Sequence, residues 1–362
     1  FKSIENIAQF QNQVPLQDYD SHKPWIKRTM KGEQGLLWPT ETKWFAKSSG
    51  TTQDRSKFLP VTAELLEDCH FQGGKDVYGV HLDNYPDSNF LDGKCLVLGG
   101  SNSVNQLNEH SYYGDLSAII TQNLPLWAEL LRTPSLKTAL HPDYEEKIEL
   151  LAQKTILKNV TNIVGVPTWT VVLFNRILEI TGKDHITEVW PNLKLYVHGG
   201  VSFEPYRDLF KKFIPDDGMS YVETYNASEG FFAFQDDPKD DGLLLMLDYG
   251  IYYEFIPMEE IHKEKPQTIT LQEVVLNKNY ALVISTIGGL WRYRIGDTIK
   301  FSSLRPFKIK VSGRTKHFIN AFGEELIIEN AEGAIRKASQ KHNCLVKEFT
   351  AGPVYFDTNQ KG

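Results

Sequence analysis

The stretch SSGTTQDRSK, which spans residues 48–57, contains the residue types that bind a polyphosphate. Its Ser, Gly and Thr residues supply backbone N–H groups and hydroxyls, and Lys57 adds a positive charge at the end of the stretch. The stretch is not a Walker A loop, because it lacks the GxxxxGK[ST] spacing. Taken alone, it fits either a phosphate-binding turn or an ordinary solvated loop, and other motifs must decide between them.

Further short motifs follow in a fixed order: VHGG at 197–200, YNASEG at 225–230, RYRIGD at 292–297 and SGRTK at 312–316. A glycine pair lets a ligand approach the backbone closely. The carboxylates of Glu229 and Asp297 are groups that bind a divalent cation or accept hydrogen bonds from sugar hydroxyls. Each motif also has a plain structural interpretation, as a tight turn or as a solvated acid at a strand end. The motifs therefore indicate function only when they are considered together.

The composition is that of an ordinary globular protein, since 41% of the 362 residues are hydrophobic and 23% are charged. A chain of this length is expected to form two or more structural units. The formal net charge of −7 argues against a nucleic-acid partner, which requires a basic surface. Apolar runs such as LLLML at 243–247 are far shorter than the ~18 residues of a membrane span, so we expect no membrane insertion.

Cysteine and histidine usage bears on location and on metal binding. Cys69, Cys95 and Cys344 are odd in number and widely spaced, which favours reduced thiols in a cytoplasmic protein over a disulfide framework. The ten histidines form no HExxH motif and no pairing with cysteine, so no zinc site is predicted. Phe1 at the start, and the strand-like run TAGPVYFD close to the end, lead us to expect a chain that is shortened at both ends.

The pattern of apolar residues predicts an α/β protein. Helices are predicted at 63–71, which ends at a glycine pair, at 116–131 with a break at Pro125, at 143–158, and from Pro167 to Gly182. GKCLVLGG is predicted to be a buried parallel strand, and LKLYVHGGVSFEPYRDLFKKF a strand, a turn and a helix. SYVETYNASEG is predicted to start a second βα unit.

From about residue 231 the pattern changes to short β-rich runs separated by turn clusters, which predicts an antiparallel or barrel-like unit. A helix over roughly 327–341 and a last strand are expected to follow. The helix that begins at Pro167 has apolar residues around most of its circumference, so we expect it to be buried. Its Trp169 fits either plain core packing or the wall of a pocket.

In this order, the motifs resemble those of the adenylate-forming superfamily, which contains acyl-CoA synthetases, peptide-synthetase adenylation domains and luciferases. Three details are similar to the auxin-responsive acyl-acid amido synthetases: SSGTTQ with its lysine one place later than in acyl-CoA synthetases, the Y-x-x-S-E form of 225–229, and YRIGD. That family includes plant enzymes that join jasmonate or auxin to amino acids, and it has bacterial relatives. The resemblance covers about residues 48–330.

The resemblance implies a luciferase-like α/β fold. Its parts would be a large adenylation domain of βα units at 1–315 with a β-barrel-like subdomain at about 231–311, a hinge at 316–328, and the start of a small α+β domain at 329–362. ATP and Mg²⁺ are the implied cofactors, and a carboxylic acid and an amino acid are the implied substrates. We expect a monomeric, cytoplasmic acid–amino acid ligase without a nucleic-acid or membrane partner.

The resemblance also implies a role for each motif. The β- and γ-phosphates of ATP would be held by Ser48, Ser49, Gly50, Thr51 and Thr52. Adenine and ribose would be bound by Gly199, Gly200, Val201, Tyr225 and Asp297, and Mg²⁺ by Glu229. Catalytic roles fall to Lys57, Thr52, Arg314 and Lys316. On the predicted buried helix, an apolar acyl group would suit Trp169, Val172 and Leu173.

The chain departs from the pattern of its relatives in three places. Asp54 stands where the family usually has glycine, and because an anionic side chain is unfavourable beside phosphate, it must point away or the loop is altered. Lys316 stands where most acyl-CoA synthetases have aspartate. Glu324 and Glu325 lie in the region where the plant enzymes carry a lysine. The departures at Lys316 and at Glu324 and Glu325 concern the hinge and the recognition of the carboxylate, whereas Asp54 concerns the phosphate-binding loop.

The implied reaction has two steps. A substrate carboxylate attacks the α-phosphate of ATP to give an acyl-adenylate and pyrophosphate, and an amine then displaces AMP. Two other functions stay open: an acyl-CoA ligase that uses the same first step, and a catalytically idle nucleotide-binding relative, which Asp54 suggests. Intact Glu229 and Asp297 weigh against the idle relative.

Overall fold

The computed structural model describes residues 4–48, 57–99, 104–215, 218–315, 319–321, 324–326, 328–342 and 346. Its strands are β1 Trp44–Ser48, β2 Lys57–Val61, β3 Lys94–Leu98, β4 Asn105–Gln106, β5 Tyr112–Gly114, β6 Arg132–Thr133, β7 Val160–Gly165, β8 Leu195–Gly199, β9 Ser220–Ala227, β10 Gly230–Phe234, β11 Leu243–Leu245, β12 Ile251–Pro257, β13 Asn279–Thr286, β14 Tyr293–Leu304, β15 Phe307–Arg314, β16 Ile319–Ala321 and β17 Glu324–Leu326. Its α-helices are α1 Ile7–Gln13, α2 Tyr19–Met30, α3 Gln72–Asn84, α4 Leu116–Gln122, α5 Leu126–Leu131, α6 Leu136–Ala139, α7 Tyr144–Thr155, α8 Pro167–Thr181, α9 Ile186–Val189, α10 Arg207–Phe213 and α11 Ile328–His342. Within these ranges, no helix is long and apolar enough to cross a lipid bilayer.

Eleven of the strands form one mixed sheet, in the order β12-β13-β14-β15-β11-β10-β9-β8-β7-β3-β6. Strands β3, β7, β8 and β9 pair in parallel, with α8 and α9 between β7 and β8 and α10 between β8 and β9. The predicted parallel strand in GKCLVLGG and the strand, turn and helix of 193–213 are confirmed. Because parallel strands end at the same edge of a sheet, their carboxyl ends form one edge, where open α/β proteins bind ligands.

The prediction that SYVETYNASEG starts a βα unit is wrong. Strand β9 turns directly into the antiparallel β10, and Ala227 pairs with Gly230 across the turn. A connection this short can join only antiparallel strands, since a parallel crossover needs a dozen or more residues. The predicted change to antiparallel strands near residue 231 is confirmed, and these strands continue the same sheet.

The central sheet is buried on both faces. Along β8, Leu195 and Val197 belong to one hydrophobic cluster and Tyr196 to another, as the two-residue alternation of a strand requires. The first cluster contains residues of the helical segment Leu65–Phe71 and of the antiparallel strands. The second contains residues of α7, α8 and α10. The sheet is therefore the middle layer of an α/β arrangement.

The helix predicted at 63–71 is longer than expected. Its helical conformation continues through a π-helical segment, Leu65–Phe71, into α3, and the glycine pair does not end it. A Cβ atom on Gly73 would lie 2.6 Å from the ring of Phe231. Gly73 therefore permits close packing of the helix on β10, which the local sequence does not reveal.

Gly73→Ala should destabilise the fold by about 1–3 kcal/mol, because the added methyl group requires the buried Phe231 ring to move. Gly74→Ala should stabilise it by up to about 1 kcal/mol, because alanine is the better helix former and a Cβ at Gly74 meets no atom within 4 Å. Urea denaturation of these neighbouring variants measures both effects. Equal effects of the two substitutions would contradict the packing assigned to Gly73.

Helix α8 begins with Pro167 and is followed by Gly182 in the left-handed conformation, with φ +65°, as predicted. The expectation that this helix is buried is confirmed for one face and wrong for the other. Leu173, Phe174 and Ile177 are buried, whereas Val172 is 41% exposed and Ile180 is 40% exposed. The reason is that α8 lies in an outer layer, so only one face meets the sheet.

Four strands form a second sheet in the order β2-β1-β5-β4. Strands β1 and β2 pair antiparallel, and Ser48 lies opposite Lys57. The two ends of the SSGTTQDRSK stretch are therefore neighbours at the end of a hairpin. Residues 49–56 lie outside the described residues.

The remaining element predictions concern helices and cysteines. The helices predicted at 116–131, 143–158 and 327–341 are confirmed as α4 with α5, as α7 and as α11. The predicted last strand and Cys344 lie outside the described residues. Cys69 and Cys95 are buried free thiols.

Candidate active site

The carboxylate of Asp297, in β14, has donors on both oxygens. Its Oδ2 accepts a 2.7 Å hydrogen bond from the hydroxyl of Tyr225 in β9. Its Oδ1 lies 3.0 Å from Nε of Arg314 in β15. The register of β14 and β15 places Asp297 opposite Arg314, so strand pairing fixes this ion pair.

The contact between Tyr225 and Asp297 shows that the antiparallel part of the sheet curls. Three strands separate β9 from β14 in the sheet order. At a spacing of about 4.8 Å per strand, a flat sheet would hold the two backbones roughly 19 Å apart, too far for this hydrogen bond. The curl brings the first half of β14, which carries Asp297, back to the carboxyl edge of the parallel strands.

Glu229 lies in the turn between β9 and β10 and is only 8% exposed. Its pKa is raised to about 7, mainly by burial and then by the nearby charge of Asp297, while the charges of Lys57 and Arg314 oppose the rise. Burial also raises the pKa of Asp297, against the Tyr225 hydrogen bond and the same two cations. Two acids and two cations from separate elements therefore act on one another electrostatically. We call these residues the charged cluster: Lys57, Glu229, Asp297 and Arg314.

Glycines keep the backbone open at the end of β8. A Cβ atom on Gly199 would lie 2.5 Å from the carbonyl oxygen of Thr224 in β9, so no other residue fits without a shift. Gly200 has φ +80°, a conformation that favours glycine. Val201 follows and is 41% exposed. At the carboxyl end of β8, two consecutive residues therefore leave the backbone uncovered by side chains.

Tyr225 is buried in β9, and its ring lies 4.8 Å from the ring of Phe232 between centroids. Burial raises its pKa well above the usual value, so the hydroxyl keeps its proton and donates to Asp297. The sequence indicated a ring that faces adenine and gave no hint of this hydrogen bond. The structure thus adds a second role, which is to orient the Asp297 carboxylate.

The sequence analysis assigned no role to the side chain of Tyr293, although this residue is the first of the YRIGD motif. Tyr293 is fully buried, and its hydroxyl has no hydrogen-bond partner in the described part of the chain. Burial raises its pKa, and the charge of Glu229 adds to the rise. An unpaired buried hydroxyl is costly, so this one is suited to a ligand or an ordered water.

The other predicted site residues are placed as follows. Lys57 begins β2, and its ammonium lies 5.6 Å from the ring centroid of Tyr19. Ser48 ends β1. Glu324 and Glu325 lie in β17. The predicted residues outside the described ranges are Ser49, Gly50, Thr51, Thr52, Asp54 and Lys316.

The three predicted acyl-binding residues differ in exposure. Trp169 lies in the first turn of α8, close after the carboxyl end of β7, and is half-buried. Val172 faces solvent. Leu173 is fully buried in the cluster under α8 and supports that helix.

These features fit a ligand with phosphates, hydroxyls and an associated divalent cation. The cations offset negative charge, the open backbone admits a flat group, and the Tyr293 hydroxyl lacks a partner. Among the described residues, no group of three or more His, Cys, Asp or Glu side chains could hold a metal. A single buried carboxylate such as Glu229 has the oxygen ligands that suit Mg²⁺, an ion that substrate phosphates and water hold together with one or two protein carboxylates.

Comparison with known proteins settles the family. A sequence model of the GH3 family N-terminal domain matches residues 1–219, and one of the GH3 family central domain matches residues 244–314. The chain belongs to the GH3 family. This confirms the resemblance to the auxin-responsive amido synthetases that the motifs indicated.

Curated GH3 relatives are similar at low identity. Jasmonoyl-L-amino acid synthetase JAR4 of Nicotiana attenuata is 23% identical over 359 residues, which cover 80% of this chain and 60% of that protein. Indole-3-acetic acid-amido synthetase GH3.17 of Arabidopsis thaliana is 22% identical and covers 98% of this chain and 71% of its own length. The match to this GH3 chain therefore spans 60% of the length of the JAR4 protein.

Solved structures show the same fold. A GH3.15 acyl acid amido synthetase in complex with 2,4-DB has a TM-score of 0.77 at 15% identity, over 98% of this chain and 75% of its own. A 2-hydroxyisobutyryl-CoA ligase in complex with 2-HIB-AMP and CoA has a TM-score of 0.59 at 13% identity, over 92% of this chain and 71% of its own. The predicted luciferase-like adenylate-forming fold of this GH3 chain is confirmed.

The contribution of the hydrogen bond from Tyr225 to Asp297 can be tested by measuring the free energy of unfolding. Tyr225→Phe should destabilise the protein by about 1.5–3 kcal/mol, since a buried carboxylate loses a donor. In an Asp297→Ala background the same substitution should cost much less. Urea denaturation of the four proteins gives the coupling, with Tyr85→Phe as the control at a partly exposed tyrosine. An equal cost in both backgrounds would contradict the contact.

Proposed function

We propose that this GH3 chain activates a carboxylic acid with ATP and transfers the acyl group to the amine of an amino acid. The charged cluster beside the open backbone of β8 carries the proposal, because acid activation needs cations for phosphate, a metal ligand and a site for the nucleoside. The names of the GH3 relatives support it, since one is a jasmonoyl-L-amino acid synthetase and another is an indole-3-acetic acid-amido synthetase.

Asp297 is the proposed ribose acceptor. An ionised carboxylate accepts about four hydrogen bonds, and Tyr225 and Arg314 account for two of them. The remaining lone pairs are available to the 2′- and 3′-hydroxyls of ribose. Tyr225 and the backbone of Gly199, Gly200 and Val201 would then enclose the adenine ring.

Phosphate binding is assigned to Ser48, the following residues 49–52, and Lys57. The pairing of Ser48 with Lys57 supports this, because it places the lysine at the mouth of the hairpin that carries the serine, glycine and threonine donors. Lys57 would offset charge as pyrophosphate departs. Arg314 lies opposite Asp297 on the neighbouring strand β15, and we assign it to the adenylate, together with Lys316, which is two residues later in the sequence.

Glu229 is the proposed ligand of Mg²⁺, which when bound would neutralise charge on the phosphates. The raised pKa of Glu229, about 7, favours this role, because an apposed cation releases the electrostatic penalty of the buried carboxylate. Its position in the β9–β10 turn, next to Asp297, would keep the ion close to the nucleotide.

The chemical steps follow from these positions. The carboxylate of the acid attacks the α-phosphate, the bond to the β-phosphate breaks, and pyrophosphate leaves. A neutral amine then attacks the acyl carbon, loses a proton, and AMP leaves. For the acyl group we propose Trp169, which lies near the carboxyl end of β7, with Val172 at the outer surface and Leu173 as support from the core.

We propose further that the large domain spans 1–315, with its β-rich subdomain at about 231–311, that 316–328 forms the hinge, and that 329–362 begins the small domain. The end of the central-domain match at residue 314 supports the first boundary. We also propose that the protein is a monomer and that it is located in the cytoplasm. The free thiols of Cys69 and Cys95 are compatible with that compartment.

Glu229→Gln should lower ATP–pyrophosphate exchange by at least ~100-fold, because the amide cannot replace the carboxylate as a ligand of Mg²⁺. The fold should persist, since a neutral side chain suits the buried position. Exchange is measured with a panel of carboxylic acids, and Glu67→Gln serves as the control at an exposed acid. Exchange at the wild-type rate would remove Glu229 from the metal site.

The acceptor is tested by the products. The full-length protein, given ATP, Mg²⁺, an apolar carboxylic acid and mixed amino acids, should form an N-acyl amino acid and AMP. Mass spectrometry of parallel reactions with amino acids or with coenzyme A measures this. A thioester without any amide product would assign the chain to acyl-CoA ligase activity instead.

A further inference from the structure

Tyr19, the first residue of α2, contacts two consecutive residues at the start of β2. The Nζ atom of Lys57 lies 5.6 Å from the centroid of the Tyr19 ring, within the range of a cation–π interaction. The Tyr19 hydroxyl accepts a 2.9 Å hydrogen bond from the backbone N–H of Phe58. One side chain therefore holds both the ammonium group of Lys57 and the backbone that follows it.

The position of Tyr19 is itself set by β14. The N–H of Gln17 donates to the carbonyl of Arg292, and the carbonyl of Gln17 accepts from the N–H of Arg294. Asp18 caps α2 by accepting from the N–H of Ser21, and its Oδ2 lies 3.6 Å from the guanidinium of Arg294. The chain just before Tyr19 is thus fixed to the strand that carries Asp297.

The ammonium group of Lys57 is attracted to carboxylates in the site as well as to the Tyr19 ring. Its charge acts on both Glu229 and Asp297, so these carboxylates also attract its ammonium group. A lysine side chain is long and flexible and loses considerable entropy when it is held in one place. The contact with the Tyr19 ring favours one position of the ammonium group among those that this flexible side chain can reach.

We propose that Tyr19 is a positioning residue that sets the place of Lys57 relative to Asp297, and hence the spacing between the phosphate and ribose parts of the site. The proposal rests on the proposed function for the roles of Lys57 and Asp297. It assigns to the N-terminal segment, which contains none of the adenylation motifs, a direct influence on the adenylation step.

The kinetic test uses variants of Tyr19 in the full chain. Tyr19→Leu should lower the rate of ATP–pyrophosphate exchange at saturating ATP about 5-fold, because Lys57 is no longer held. Tyr19→Phe keeps the ring and should stay within about 2-fold of wild type. In a Lys57→Ala background, Tyr19→Leu should have no further effect, which separates positioning from general damage.

Tyr113→Leu is the matched control. Tyr113 packs on the same cluster of Ile26, Met30, Leu37 and Phe45 as Tyr19, and its ring lies 5.5 Å from that of Phe58. Its loss removes similar packing without touching Lys57. Equal losses of exchange in Tyr19→Leu and Tyr113→Leu, or an undiminished effect of Tyr19→Leu in the Lys57→Ala background, would overturn the proposal.

A second readout does not depend on activity. Reductive methylation with ¹³C-formaldehyde labels the lysines, and Lys57→Arg identifies the Lys57 signal by its loss. The aromatic ring should shift the methyl protons of Lys57 upfield in wild type and in Tyr19→Phe, and the shift should vanish in Tyr19→Leu. An unchanged signal in Tyr19→Leu would refute the contact, whereas an upfield signal in a protein without exchange would refute only the proposed function.

Discussion

The buried carboxylate of Asp297 is the constraint on which the site depends. Only 15% of its side chain is exposed, and a charge so buried is tolerated only with donors on its oxygens. Arg314 comes from the neighbouring strand, in register with Asp297, whereas Tyr225 comes from β9, which three other strands separate from β14. The curl of the antiparallel strands is therefore required for the carboxylate to be held, and it joins the two halves of the sheet at one edge.

From that edge the charges divide between two tasks. In the proposed function, Lys57 and Arg314 would offset negative charge, whereas Glu229 would offer its oxygens to a metal ion and Asp297 to the ribose hydroxyls. Burial raises the pKa of both acids, so each gains from a cationic or donor partner in a complex. Glycine is required at Gly199 for a different reason: a Cβ atom there would lie 2.5 Å from the carbonyl oxygen of Thr224, so only glycine lets β8 approach β9 this closely.

The sequence predicted elements whose signals are local and strong. Helix α8 is marked by Pro167 and Gly182, and the order of the motifs indicated the GH3 family. Predictions failed where a residue's role depends on distant packing: Gly73 looked like a helix stop, but its partner is the ring of Phe231. The contact of Tyr225 with Asp297 could not be predicted either, because it follows from the curl of the sheet. Tyr19 lies outside all of the sequence motifs, and only its contacts with Lys57 and Phe58 in the folded chain indicate a role.

The central claim is that the carboxyl edge of the parallel strands, together with Asp297, binds the nucleoside of ATP. A crystal structure of the full-length protein with AMP tests this most directly. We predict ribose hydroxyls within hydrogen-bond distance of Asp297 and the adenine ring between Tyr225 and the backbone of 199–201. AMP bound at any other part of the chain, with Asp297 still contacted only by Tyr225 and Arg314, would contradict the account.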